Sequence, residues 1–375
     1  MPAKDPWHYP RTKDAKHFIS NLDSGLSNRL ILVAPRRKGK TEFLLFDLAP
    51  AAEKAGYQVV YASLWSNINA PQHGLIEALE MAVDAKRKNR SVTKRVLTTA
   101  IDKVKVDAMG VGAELEFSDQ PTPVASDDTA RIDRLIDTLA SGRRTKLLLI
   151  LDEIQHLGTN KAFQALTYAL RSTLDRLRDV RVVFSGSSRG GIRRMFGDQN
   201  APFFGSATEI QLPELDSKFT EFLAKSFQKV TKRSVDANAL WQQFEKLDFN
   251  PYYIREALKL TALEPSLALE DAIDRVLRAV AQQNDYAGLW NRLNPLDRLI
   301  FQSISQRPGE TGLHSQAAVD TFSDSLGKRV SRAQVGRRLQ KLAEMNLVSA
   351  TQRGIYQVEM PGFAEWLKRR EETAD

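Results

Sequence analysis

The sequence predicts an α/β fold with a parallel sheet, followed by a helical region and by a tail of three helices and a hairpin. Short apolar runs alternate with stretches of helical spacing in the first half of the chain, and this alternation is typical of parallel strands joined by helices. After Leu212–Pro213 the spacing is helical almost to the end. The change predicts at least one further domain.

Four apolar runs are the predicted strands of the sheet. Strands of a parallel sheet are buried on both faces, so they are apolar throughout rather than alternating. The runs are Arg29–Ala34, Gln58–Leu64, Lys146–Leu151 and Val180–Ser185. Lys103–Phe117 alternates around a glycine instead, which predicts a hairpin insertion at about 103–117 within a core domain of residues 1–212.

The rest of the chain predicts two further domains, at 213–285 and 286–375. Four candidate helices fill the first: Asp216–Val230, Val235–Leu247, Tyr252–Thr261 and Leu267–Gln283. The second contains helices at Asn294–Gln306, His314–Ser325 and Ser331–Met345, then strands at Leu347–Thr351 and Ile355–Glu359. Three helices followed by a hairpin is the order of a winged helix.

Composition limits the classes of function. The 375 residues include 54 Lys and Arg against 46 Asp and Glu, a formal net charge of +8, which favours a polyanionic partner. Cysteine is absent, which excludes disulfides and thiolate chemistry, and the five histidines lack the spacing of metal ligands. No apolar run is long enough to span a membrane and the N-terminus is too polar for a signal peptide, so we expect a cytoplasmic protein.

The segment after the first strand predicts a phosphate-binding loop. Residues 34–41 spell APRRKGKT, which is G-x-x-x-x-G-K-[ST] without its first glycine, and they lie between a strand and a helix. Backbone N–H groups of such a loop surround a phosphate, Lys40 places a cation on the β- and γ-phosphates, and Thr41 offers a hydroxyl to Mg²⁺. The predicted nucleotide contacts are Pro35, Arg36, Arg37, Lys38, Gly39, Lys40, Thr41 and Glu42. The alternative is a basic, solvated turn.

Ala34 departs from that pattern. A residue with a Cβ is strained there if the position requires a positive φ.

Two carboxylates follow the third strand, where they meet the same edge of the sheet as the loop. Asp152 is the predicted Mg²⁺ holder, through water, together with Thr41. Glu153 is the predicted base that polarises the attacking water. An acidic pair after a strand is also a common helix cap, and only its combination with the GKT loop favours catalysis.

Small hydroxyl residues end the fourth strand. Ser187, and Ser185 second, are predicted to contact the γ-phosphate or the attacking water, so the catalytic set is Lys40, Glu153 and Ser187. The alternative is a strand-to-helix turn capped by serines.

These segments together resemble a known family. The segments are APRRKGKT (34–41), LILDEIQ (149–155), FSGSS (184–188), APFFGSATEIQLPEL (201–215) and NPYYIREA (250–257). They resemble the archaeal-type ATPases, of the AAA+/STAND branch of P-loop NTPases, and the tail is similar to that of Orc1/Cdc6-like proteins. The resemblance implies a parallel-sheet P-loop ATPase core, a helical lid at 213–285 and a C-terminal winged helix.

The resemblance also implies ATP and Mg²⁺ as cofactors. Pro251 would approach the base of the nucleotide, and Arg255 is the nearest match to a lid arginine that senses the γ-phosphate. Ser206 stands where such proteins commonly have an arginine, which removes the expected arginine finger and with it the expected activation by a neighbouring subunit.

A basic helix in the tail predicts a duplex DNA interface. Ser331 and Gln334 form a capping-box pattern at its start. The predicted DNA contacts are Arg332, Arg337, Arg338 and Lys341 on the helix and Arg353 at the wing tip. Winged helices also bind proteins, and a basic helix face is often only solvated.

Two functions fit these features. The first is an ATPase that couples its nucleotide state to DNA binding. The second is a STAND-like switch that hydrolyses slowly and signals to a protein partner. A degenerate loop with a structural role ranks last, because Lys40, Thr41, Asp152 and Glu153 are all present. Nucleotide-dependent assembly is compatible with either function.

Overall fold

The computed structural model describes residues 5–88, 121–142, 146–197, 199–307, 312–345, 347–352 and 354–372. The predicted hairpin at 103–117 lies outside them. The described chain forms two compact units. One, the sheet unit, consists of the described residues of Pro10–Ala34 and Gly39–Pro213. The other, the helical unit, consists of residues 5–9, Pro35–Lys38 and the described residues after Pro213. Both predicted C-terminal domains fall in the helical unit, so their division at residue 285 stays a prediction.

The sheet unit contains a five-stranded sheet in which every pairing is parallel. Its strands are β1 (Arg29–Val33), β2 (Tyr57–Ser63), β3 (Lys146–Asp152), β4 (Arg181–Gly186) and β5 (Thr208–Ile210), and their order is β2-β3-β4-β1-β5. The four predicted strands are therefore confirmed to within a residue or two, and β5 is an additional short edge strand. The predicted α/β fold class with a parallel sheet is confirmed.

Helices surround this sheet because its strands are apolar on both faces. β1 is buried along its whole length, and β3 is buried from Leu147 onward. The helices are α1 (Thr12–Asp23), α2 (Lys40–Glu42), α3 (Ala49–Lys54), α4 (Pro71–Arg87), α5 (Ser126–Ala140), α6 (Gln164–Arg176) and α7 (Arg189–Ile192). A π-helical segment, Phe43–Leu48, joins α2 to α3 directly after the loop. Such segments are frequent at functional sites.

The helical unit has its own hydrophobic core. Its helices are α8 (Ser217–Thr231), α9 (Ala237–Lys246), α10 (Pro251–Leu263), α11 (Leu269–Gln283), α12 (Tyr286–Arg292), α13 (Pro295–Gln306), α14 (Gln316–Leu326), α15 (Arg332–Glu344) and α16 (Pro361–Glu372). Short polar side chains cap several of them because the first backbone N–H groups of a helix have no partner within it. The predicted capping box of α15 is present, with Ser331 and Gln334 bonded reciprocally.

The end of the helical unit has the predicted order of three helices and a hairpin. α13, α14 and α15 contact one another, and the antiparallel strands β6 (Val348–Gln352) and β7 (Ile355–Val358) pack against them. Among the described residues, no helix combines the length and the apolar character that crossing a bilayer requires.

Candidate functional site

The loop after β1 turns at two residues other than Ala34. Ala34 continues the strand, with its N–H 3.3 Å from the carbonyl oxygen of Gly186. Positive φ angles occur instead at Arg37 (68°) and Gly39 (81°). The strain expected at Ala34 therefore does not arise, because the left-handed turn lies further along the loop.

The sheet unit brings the end of the loop onto the acidic pair. Lys40 Nζ lies 2.7 Å from Glu153 Oε1, although 113 residues separate them. The Thr41 hydroxyl donates to Asp152 Oδ2 at 2.9 Å. Both contacts form because β1 and β3 are parallel, so the residues that follow them meet at one edge of the sheet.

Asp152 is buried and accepts hydrogen bonds on both carboxylate oxygens. Oδ2 accepts from Thr41 and from the Tyr61 hydroxyl, each at 2.9 Å. Oδ1 accepts from the Ser185 hydroxyl and from the backbone N–H of Glu153 at 3.0 Å. Only 2% of Asp152 is exposed, so water cannot solvate its carboxylate. These four donors take the place of that water. Burial and the neighbouring Asp152 together raise the pKa of Tyr61 well above its ordinary value.

Glu153 is held in an uncommon backbone conformation. Its φ of 57° lies in the left-handed region, which is sparsely populated by residues with a side chain and tends to mark functional sites. Oε2 accepts from the Ser187 hydroxyl at 2.8 Å and from the amide of Gln155. Burial alone would raise the pKa of Glu153, but the charge of Lys40 and the donors Gln155 and Ser187 outweigh burial and lower it. Glu153 is therefore kept ionised, as a base must be.

The residues Thr41 and Asp152 fit a magnesium ion. A hydroxyl and a carboxylate are the hard oxygen ligands that Mg²⁺ prefers. Their two oxygens lie 2.9 Å apart. Thr41 would offer its hydroxyl to the ion and Asp152 would hold it through water, because Mg²⁺ usually keeps several waters.

The first half of the loop contacts α10 and the turn before it, all within the helical unit. The Arg37 guanidinium lies over the ring of Tyr252, 4.8 Å from its centre. Lys38 Nζ contacts the carbonyl oxygens of Asp248 and Phe249, both of which have positive φ. Arg36 is exposed, whereas Pro35 and Glu42 are half-buried.

Helix α10 carries the two predicted lid contacts. Pro251 is buried at its first position, after the Asn250 side chain, which accepts from the Tyr252 N–H at 3.1 Å. Arg255 is largely buried and pairs with Asp5 at 3.2 Å. The predicted roles of Pro251 and Arg255 toward a nucleotide stay predictions.

Four of the five predicted DNA contacts lie on α15. Arg332, Arg337 and Lys341 are exposed. Arg338 instead forms a bidentate ion pair with Asp297, whose side chain is 2% exposed. The Arg338 side chain therefore holds α15 against α13 and is not available to DNA while this ion pair is formed. The fifth predicted contact, Arg353, lies outside the described residues.

Two residues of the site were not predicted from the sequence. Tyr61 lies on β2, beside β3, and bonds to Asp152; Gln155 follows the acidic pair and bonds to Glu153. Gln155 is the last residue of LILDEIQ (149–155), one of the segments on which the family resemblance depends. That position was the one indication in the sequence that Gln155 belongs to the site. Tyr61 had no clear signal, because β2 also contains the polar side chains of Tyr57, Gln58 and Ser63.

No protein-family model matches this sequence, and no curated protein is significantly similar to it. Solved structures share its fold. A Walker-type ATPase of Pyrococcus abyssi aligns with a TM-score of 0.62 at 16% identity, covering 97% of this chain and 99% of that one. The ORC2 protein of Aeropyrum pernix in its ADP form aligns with a TM-score of 0.52 at 16% identity, covering 96% and 92%. The chain therefore has the fold of these ATPases, as the resemblance implied.

Proposed function

We propose that this protein binds ATP with Mg²⁺ and hydrolyses it. The observation that carries the proposal is the meeting of Lys40 with Glu153 and of Thr41 with Asp152 at one edge of a parallel sheet. A cation, a hydroxyl and two carboxylates are the groups that phosphoryl transfer to water requires. A solvated basic turn would not place Lys40 at 5% exposure against a carboxylate that is itself only 12% exposed.

Each residue has a distinct task in this proposal. Lys40 leaves Glu153 for the β- and γ-phosphates, where its charge stabilises the transition state. Thr41 and Asp152 hold Mg²⁺, which supplies positive charge to the phosphates. Glu153 takes the proton of the attacking water, and Ser187 holds Glu153 by donating its hydroxyl to it.

Adenine is the base that we infer for the nucleotide. The structure of the ORC2 protein of A. pernix, which shares this fold, is of an ADP form. Pro251 is proposed to contact the base and Arg255 to sense the γ-phosphate. For Arg255, this role requires exchanging its contact with Asp5 for one with the nucleotide.

The proposed partner of the tail is duplex DNA. Val335, Leu339 and Leu342 of α15 are buried, and Arg337 and Lys341 lie one turn apart on its exposed side. An exposed pair of cations on a helix suits the phosphates that flank a major groove.

Steady-state phosphate release, measured with and without duplex DNA, tests both ATP hydrolysis and its coupling to DNA. We expect turnover that rises with DNA, and a Glu153→Gln variant that binds ATP but releases phosphate at least about 100-fold more slowly. Retained turnover in that variant would remove Glu153 as the base.

The DNA interface is tested by the double variant Arg337→Ala/Lys341→Ala. Losing two phosphate contacts should weaken binding and reduce the slope of log affinity against log salt by about 2. Arg278→Ala/Lys229→Ala, which changes the same charge at exposed positions of α11 and α8, is the matched control. Equal affinity and slope in both double variants would exclude α15 from the interface.

A slow nucleotide switch is the second candidate. Ser206 favours it: its hydroxyl donates to the carbonyl oxygen of Phe203 at 2.7 Å, so a turn-forming serine occupies the position where the resemblance implies a catalytic arginine. Tight nucleotide binding with negligible turnover, unchanged by DNA, would favour the switch and a protein partner.

A further inference from the structure

The two carboxylate oxygens of Glu153 have partners of different kinds. Oε1 is paired with Lys40, a cation on a flexible stem that the proposed function sends to the phosphates. Oε2 accepts from Ser187, through its hydroxyl at 2.8 Å and its N–H at 3.3 Å, and from Nε2 of Gln155. Oε1 therefore loses its partner when a nucleotide binds, whereas Oε2 keeps its donors.

Gln155 occupies a slot that two glycines create. A Cβ on Gly186 would lie 2.5 Å from Gln155 Oε1. A Cβ on Gly191 would lie 2.7 Å from the Cβ and 2.8 Å from the Cγ of Gln155. All three distances are far below van der Waals contact, so any larger residue at either position would displace Gln155.

The Gln155 amide is satisfied on one side only. Nε2 donates to Glu153, whereas Oε1 is buried and has no hydrogen-bond partner. A buried acceptor without a donor is destabilising, and turning the amide over would place its oxygen against the ionised carboxylate. In this orientation the Gln155 amide donates to Glu153 while its own carbonyl oxygen has no donor.

We propose that Gln155 is a positioning residue for hydrolysis, which anchors Oε2 of Glu153 and so leaves Oε1 as the oxygen that takes the proton from water. This inference rests on the proposed function. The water oxygen bonds to the γ-phosphorus while the bond from that phosphorus to the bridging oxygen of the β-phosphate breaks. One water proton passes to Glu153 Oε1 and later to solvent, and the products are ADP and inorganic phosphate.

The anchor matters most after Lys40 has left. A carboxylate oxygen held by three converging donors keeps its direction better than one held only by the hydroxyl and the N–H of Ser187. The hydroxyl and N–H of Ser187 still donate to Glu153 when Gln155 is replaced, although Ser187 Oγ loses a long hydrogen bond from Gln155 Nε2 at 3.5 Å. The loss on substitution should therefore be partial.

The test is Gln155→Met, which keeps the length of the side chain and removes the donor. We expect kcat to fall about 10- to 100-fold, as for a misplaced catalytic group, with the affinity for ATP within about threefold of wild type. A kcat that falls while the affinity for ATP is kept distinguishes a positioning role from a packing role. The other charged or titratable groups near Glu153, namely Lys40, Asp152, Tyr61 and His156, are unchanged in this variant.

Two further variants complete the experiment. Gln155→Glu has the same shape but adds a carboxylate instead of a donor, so it should lower kcat at least as far. It replaces the Met variant if that one does not fold. Gln164→Met is the matched control, because Gln164 is exposed on α6 and its amide lies 3.4 Å from the Tyr168 hydroxyl.

The outcomes separate this inference from the proposed function. Wild-type kcat in Gln155→Met, with Glu153→Gln inactive, would overturn the inference and leave the function standing. Loss of ATP affinity in parallel with kcat would also overturn it, since that indicates a packing role. A wild-type protein that releases no phosphate overturns both.

Discussion

The site at the sheet edge and the exposed side of α15 both contain basic residues, but they hold them in opposite ways. Lys40 is 5% exposed and forms an ion pair with Glu153, whereas Arg337 and Lys341 are exposed. A buried charge depends on its partner, while an exposed one is stabilised by water and acts at longer range. Substitutions of Lys40 should therefore change chemistry and folding together, and those of Arg337 and Lys341 should change only the response to a polyanion.

Lys40→Met gives the largest expected effect. It removes the cation from the phosphates and leaves Glu153 without its charged partner, so the affinity for ATP should fall by at least about 100-fold. Titration with a fluorescent ATP analogue measures this. Lys161→Met, at an exposed position of the sheet unit, is the control, and equal affinities in the two variants would contradict the assignment of Lys40.

Arg338→Ala sharpens the comparison within one helix. Its loss leaves Asp297 buried and unpaired, so we expect the free energy of unfolding to fall by about 2–3 kcal/mol. Arg337→Ala, one residue away and exposed, should change it by less than about 0.5 kcal/mol. Urea unfolding measures the free energy of unfolding of both variants. Equal changes would show that the Arg338–Asp297 ion pair does not stabilise the fold.

Tyr61→Phe compares a buried acceptor with an exposed one. The Tyr61 hydroxyl bonds to the buried Asp152, so its removal should lower the free energy of unfolding by about 1–2 kcal/mol. Tyr57→Phe removes a similar hydrogen bond to Asp23, whose side chain is 40% exposed, and should have the smaller effect because water replaces that donor. The reverse order in urea unfolding would be inconsistent with a buried network around Asp152.

The smallest expected effect is on the pH dependence of stability. The pKa of Glu153 is lowered from 4.5, so its pairing stabilises the fold fully above pH 4.5 and is lost as pH falls through the lowered value. Glu153→Gln should therefore make the free energy of unfolding less steep in acid. Glu209→Gln, an exposed position on β5, should leave the slope unchanged. A slope unaffected by Glu153→Gln would mean that Glu153 is not held ionised in the fold.

Much of the fold could be predicted because its strands and helices carry local patterns. β1 and β3 are continuous apolar runs, and α15 begins with its own capping box. β5 could not be predicted in this way, because Thr208–Ile210 is short and largely exposed. Its place is set by pairing with β1 rather than by its own composition.

The residues of the site could be predicted more easily than their partners. The loop and the acidic pair are recognisable by type and order, but nothing local in the sequence shows that Gln155 and Ser187 share one oxygen of Glu153. Likewise, Arg337, which is exposed, and Arg338, which is paired with Asp297, are adjacent in the sequence. Only the position of Asp297, on another helix, distinguishes Arg338 from Arg337.

The central claim is that Lys40, Thr41, Asp152 and Glu153 form a site that hydrolyses ATP. A single-turnover experiment with excess protein over radiolabelled ATP and Mg²⁺ tests it most directly, because it reports the fate of bound nucleotide. The wild-type protein should convert bound ATP to ADP and phosphate, and Glu153→Gln should retain it as ATP. Equal conversion by both proteins, or intact ATP on both, would contradict the account.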